Sequence, residues 1–218
     1  MITFAGFVLP LTAEAQKPRE TTGVDFFFNV RAGTCNVMNP MVGVVTGATP
    51  DTALVYGAPL AGPNNRMCVP VTGSDGQQLT LGEFKAIEGT VRVKCVERGT
   101  LVSVHLSGLQ PKGVYSAWVP VTAGNTFPPA IAATALGSVV GDDTFLNTFT
   151  ASTSGEGQLT LIQPAGIGTL APGQIPLCLL DVTFEVHIAY HINGETSGPV
   201  PGPVTTWVVP ERFLFPIQ

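Results

Sequence analysis

Along much of this chain apolar and polar residues alternate with a period of two, the pattern of strands that lay one face on a core. The longest such stretch is DVTFEVHIAYHI at 181–192. Val182, Phe184, Val186, Ile188, Tyr190 and Ile192 fall on one face, and Asp181, Thr183, Glu185, His187, Ala189 and His191 on the other. This regularity predicts a central strand with its apolar face in the core, because a slip of one position would turn Asp181, Glu185 and His187 inward. A hairpin is predicted upstream. Val91, Val93 and Cys95 alternate with Arg92 and Lys94, Arg98-Gly99 turns the chain, and Val102, Val104 and Leu106 continue inward. In GVYSAWV, Tyr115, Ala117 and Val119 lie opposite Ser116 and Trp118. Further strands are expected at 24–30, with Phe26 and Phe28 on one face, and at 145–151, 158–163, 205–209 and 212–215. Residues 120–141 read as a long neutral loop.

From 34 to 78 the pattern weakens, and Pro40, Pro50, Pro59 and Pro63 interrupt it, which suggests short edge strands and loops. No stretch sustains a 3.6-residue apolar period. The class is therefore all-β, a Greek-key-type β-sandwich of about nine to eleven short strands with little helix. One domain over 24–218, loop-rich in its N-terminal part, accommodates the whole pattern.

Composition sharpens this picture. The 218 residues include 25 Gly and 19 Pro, which break helices and punctuate short strands, and only 11% of residues are charged, against roughly 25% in ordinary soluble domains. Mean hydropathy is +0.33, yet no uncharged apolar run approaches the ~20 residues of a membrane-spanning helix. A chain so poor in charge leaves neutral and apolar surface for contact, with copies of itself or with another extracellular protein. The net charge is −5 and basic residues do not cluster, which argues against nucleic acid or anionic lipid as partners.

The first fifteen residues read as the back half of a secretory signal peptide. An apolar core over 2–11 is followed by Ala13-Glu14-Ala15, which fits the small-x-small cleavage rule. The basic segment that usually opens such a signal is not seen, and an N-terminal strand is the alternative. Residues 16–23 would then form a polar leader. Four cysteines, Cys35, Cys68, Cys95 and Cys178, with no CxxC pair, fit two disulfides in an oxidising, extracellular or cell-surface setting. Of the three connectivities, Cys35–Cys68 with Cys95–Cys178 is preferred, because the first pair would close the loop-rich region.

The strings LGEFKAIEGTVRVKC, LSGLQPKGVYSAWV, NTFTASTSGEGQLTL and EVHIAYHINGETSGPVPGP resemble a group of uncharacterised secreted proteins of bacteria and haloarchaea, over roughly residues 79–203. The resemblance implies secretion and a β-sandwich. It implies no activity, since the group has none assigned. Members often read T-H-G where this chain has Thr196-Ser197-Gly198.

Candidate chemistry centres on the histidines. His105, His187 and His191 all fall on the polar faces of their strands, and imidazole on a secreted sandwich is a possible ligand for copper or zinc. His187 and His191 stand roughly 13 Å apart along one strand, too far to share an ion without a bulge. His187 with Glu185, or with His105 from another strand, is the feasible set. Solvated cross-strand polar pairs are the simpler reading. Serines are plentiful, but none lies in a G-x-S-x-G elbow, so no nucleophile stands out. Among Glu156, Asp181, Glu185 and Glu195 a glycosidase pair would need the fold to unite two. Tyr190 belongs to the core face, whereas Trp118 and Trp207 fit either a core or a binding platform. Taken together, the sequence points to a non-catalytic extracellular module, structural or binding, with a metal-binding sandwich as the alternative and an enzyme of unknown class behind it.

Overall fold

The computed structural model describes residues 19–22, 24–25, 30–33, 43–44, 48–57, 69–122, 134–137, 146–164, 178–198, 200, 202–203 and 205–215. In chain order the strands are β1 (Arg19–Thr22), β2 (Val24–Asp25), β3 (Val30–Ala32), β4 (Gly43–Val44), β5 (Val55–Gly57), β6 (Val69–Pro70), β7 (Glu88–Val96), β8 (Gly99–Ser107), β9 (Val114–Val119) and β10 (Val121–Thr122). They continue as β11 (Thr134–Ala135), β12 (Thr148–Thr150), β13 (Gly157–Pro164), β14 (Thr183–His191) and β15 (Trp207–Phe215). One short helix, α1 (Leu81–Lys85), precedes β7, held by a capping box in which Thr80 and Glu83 satisfy each other's backbone N–H. A 3-10 turn, Leu179–Asp181, leads into β14.

These strands form three antiparallel sheets. Sheet 1 has the order β1-β7-β8-β13, and sheet 2 has β11-β9-β14-β15-β2, with β10 on β14 and β12 on β9. A small third sheet has the order β4-β3-β5-β6. The fold is thus the expected all-β, sandwich-like one, and the chain crosses between sheets 1 and 2 from β1 to β2, β8 to β9, β12 to β13 and β13 to β14. A single core joins the inward faces. Val91, Val93, Val102, Val104 and Leu106 of sheet 1 meet Tyr115, Phe184, Val186, Ile188, Phe213 and Phe215 of sheet 2. Phe184 and Phe215, paired across β14 and β15, stack with ring centroids 4.6 Å apart. Tyr190 is also core, and its hydroxyl donates to the Thr72 carbonyl at 2.6 Å. Every inward residue of the predicted hairpin and central strand is where the alternation placed it.

Cys95 and Cys178 form a disulfide with Cα atoms 5.5 Å apart. It fastens β7 of sheet 1 to the turn that feeds β14 of sheet 2. Leu179 N–H donates to Thr100 Oγ1 at 2.7 Å beside it. Cys35, Cys68 and the proposed signal over 1–15 lie outside the described residues.

Several boundaries differ from the sequence reading. The supposed leader contains β1, in register with β7 from Arg19↔Val93 to Thr22↔Thr90. Its polar residues suit a strand at the rim of a sheet, where no apolar alternation is required. The strand expected over 24–30 divides, with Val24–Asp25 on β15 in sheet 2 and Val30–Ala32 in sheet 3. The loop at 120–141 contains β10 and β11. The two C-terminal strands are one, β15, and a register shift opposite Ile188–Tyr190 absorbs the break. Pro210, which cannot donate to a ladder, falls in that irregular stretch.

Candidate functional site

Sheet 2 has a second face, turned away from the core, and the chemistry-bearing residues gather there. Register sets Trp118 beside His187 on β14, and His187 beside Arg212 on β15. One row along, Ser116 stands opposite Ala189, and the next row brings His191 level with Val114 and Trp207. Sequence alternation had put Glu185, His187 and His191 on a wet face. The structure corrects this, since Glu185 is 1% exposed, His187 6% and His191 2%. Trp118, Ala135, Ala189, Trp207 and Val209 make a second buried apolar cluster on this side. Alternation reports which face is polar, and a polar face can be buried when its groups satisfy one another.

They do so in two groups. The Glu185 carboxylate accepts from His187 Nε2 at 2.5 Å and from Arg212 Nη1 at 3.2 and 3.3 Å. Burial alone would raise the Glu185 pKa. The hydrogen bond and charge of His187, with the Arg212 guanidinium, outweigh it and hold the carboxyl below its usual value.

The second group is built around Ser116. Trp118 Nε1 donates to Ser116 Oγ at 2.8 Å, and Ser116 Oγ lies 2.7 Å from His191 Nε2. Small Ala189 opposite Ser116 leaves the space in which these two large side chains converge. Burial pushes His191 down to about 4, opposed by a hydrogen bond to the Glu195 backbone. A backbone bond that favours the protonated ring is one in which the ring N–H donates to a carbonyl. In the tautomer with its proton on the other ring nitrogen, His191 Nε2 accepts from Ser116 O–H while Ser116 Oγ accepts from Trp118 N–H.

A serine hydrogen-bonded to a neutral, carbonyl-oriented histidine has the outline of a nucleophile and its base. Two features oppose that chemistry. Ser116 is 1% exposed. It also sits in the middle of β9, paired with Ala189 on one side and Thr148 on the other. Its neighbouring backbone N–H groups belong to ladders, whereas an oxyanion hole needs donors aimed at the reacting carbonyl.

Metal chemistry meets a comparable arrangement. The structure brings Glu185 and His187 together, but Arg212 already supplies a cation to that carboxylate. His105 is exposed on the outward face of β8 in sheet 1, on the opposite side of the sandwich. Among the described residues no three His, Cys, Asp or Glu side chains are grouped closely enough to hold an ion. Of the candidate carboxylates, Glu156, Asp181 and Glu195 are exposed and Glu185 is buried. Both tryptophans are buried on the second face of sheet 2. Ser116 escaped the sequence reading because its significance lies in register with Ala189 and His191, which no local pattern encodes.

No protein-family model and no curated protein sequence matches this chain. Among the described residues no helix is long and apolar enough to cross a membrane.

Proposed function

We propose that this chain is a non-catalytic extracellular β-sandwich that acts by contact, as a structural subunit or binding module, and associates with copies of itself. One observation carries the reading. The side chains best suited to chemistry, Ser116, Glu185, His187 and His191, are buried and hydrogen-bonded to one another or to Trp118 and Arg212. Their work is to hold β9, β14 and β15 together. The Cys95–Cys178 bridge suits an oxidising compartment, and 11% charge limits repulsion between copies.

Two measurements test the proposal. A fluorophosphonate probe should leave the native protein unlabelled. Stoichiometric labelling that disappears in Ser116→Ala would establish a reactive serine and overturn the non-catalytic reading. Light scattering over a concentration series should show mass above that of one chain. A single-chain mass throughout would remove self-association.

A further inference from the structure

The outward face of sheet 1 is largely polar, half-buried to exposed, and electrically lopsided. Register arranges its side chains in rows across β7, β8 and β13. Glu88 stands beside Ser107, and Glu156, one residue before the Gly157↔Leu106 pair, extends that row. The following rows are Thr90, His105 and Gln158, then Arg92, Ser103 and Thr160, then Lys94, Leu101 and Ile162. Glu88, Glu156, His105, Arg92 and Lys94 are all exposed. On these three strands the two acids therefore lie at one end of the face, and Arg92 and Lys94 lie towards the other. At ~3.3 Å per residue, Glu88 and Lys94 are roughly 20 Å apart along β7. An open hollow of about 500 Å³ lies at the acidic end, lined in part by Glu88, His105, Ser107 and Glu156.

A face with opposite charges at its two ends is complementary to itself. Consider a two-fold axis in the plane of the contact, perpendicular to the strands and crossing β7 near Val91. It lays β7 of one copy antiparallel on β7 of the other and sets each Lys94 above a Glu88. This is the isologous arrangement of most homodimers, in which one patch meets its own image. The middle of the face carries hydroxyls, an amide and an imidazole, which can donate to and accept from the same groups in a second copy.

We propose that the outward face of sheet 1 is the contact between two copies of this chain, with Lys94 of each entering the hollow between Glu88 and Glu156 of the other. The inference rests on the self-association proposed above and names the surface that performs it. Repulsion from the net charge of −5 is screened over about 8 Å at physiological ionic strength, while charges in direct contact are screened far less.

Sedimentation of the full chain at low and high salt, with charge-reversed variants, tests the surface. Lys94→Glu and Glu88→Lys should each weaken dimerisation by about tenfold or more, because each sets like charges together, and combining them should restore it. Raising salt should weaken the unmodified dimer. Both positions are exposed, so circular dichroism should be unchanged. Dimers that persist in both single variants and at high salt would overturn this surface and leave self-association standing. A protein that sediments as one chain at every concentration would overturn both.

Discussion

At the scale of single residues, His191 links burial to pH. Its pKa in the folded protein is about 4, against about 6.5 for an unperturbed imidazole. Between those values the unfolded chain binds the proton and the folded chain does not. Stability from this group is therefore full above pH ~6.5, declines as pH falls and levels off below ~4, a loss of about 3 kcal/mol. Glu185 acts lower. Its pKa is depressed, so its contribution is present above the usual carboxylate range and is lost as pH falls through its own lowered value. Urea unfolding across pH 7 to 4 should show the first loss, and His191→Gln should flatten it. A curve equally steep in that variant would place the titrating group elsewhere. Ser116→Ala tests the same network at constant pH. It leaves His191 Nε2 and Trp118 Nε1 without their shared partner, which should cost about 1–3 kcal/mol, the penalty for orphaned buried groups.

At the scale of elements, β14 explains both what the sequence made legible and what it concealed. Period-two alternation located the core face of β14 residue by residue, since Phe184, Val186, Ile188 and Tyr190 have one geometric option once the strand forms. The same alternation could not reveal that Glu185, His187 and His191 are buried. Side-chain chemistry names a face as polar, and only its surroundings decide whether water reaches it. β1 was hidden for a related reason, because RETT at a sheet rim has no apolar face to declare itself. β15 reads in the sequence as two strands, 205–209 and 212–215, with Pro210 between them, and an irregular register accommodates that residue within one strand. With both faces of β14 buried, substitutions on either side should be severe, in different ways. Val186→Asp places an unpaired charge in the core and should prevent folding. Glu185→Ala leaves Arg212 and His187 without their shared carboxylate, and breaking a buried pair from one side costs roughly 3–5 kcal/mol. Denaturant titration measures the second. A cost below about 1 kcal/mol would mean that water reaches this strip.

At the scale of the whole molecule, the two large sheets are joined by a shared apolar core and, among the described residues, by one covalent link. Cys95 was legible as an inward residue of β7, and Cys178 as the residue just ahead of the longest strand. Their pairing was a preference among three connectivities, because connectivity is a property of the folded arrangement. The bridge spans a sequence separation of 83 residues, which encloses β8 through β13, so it removes a large set of open conformations from the unfolded chain. Long enclosed loops give the greater stabilisation in the chain-entropy account, and losing a native bridge typically costs about 2–5 kcal/mol. Replacing Cys95 and Cys178 together by Ser avoids a stray thiol and should lower the urea midpoint accordingly. If the cost arises in the unfolded chain, the folded variant should keep its near-ultraviolet circular dichroism, since Phe184, Phe215, Tyr115 and Tyr190 pack in the core without the sulfurs. Loss of that signal together with stability would mean that the bridge also sets how sheet 1 meets sheet 2. An unchanged midpoint would show that the apolar core alone fixes their union.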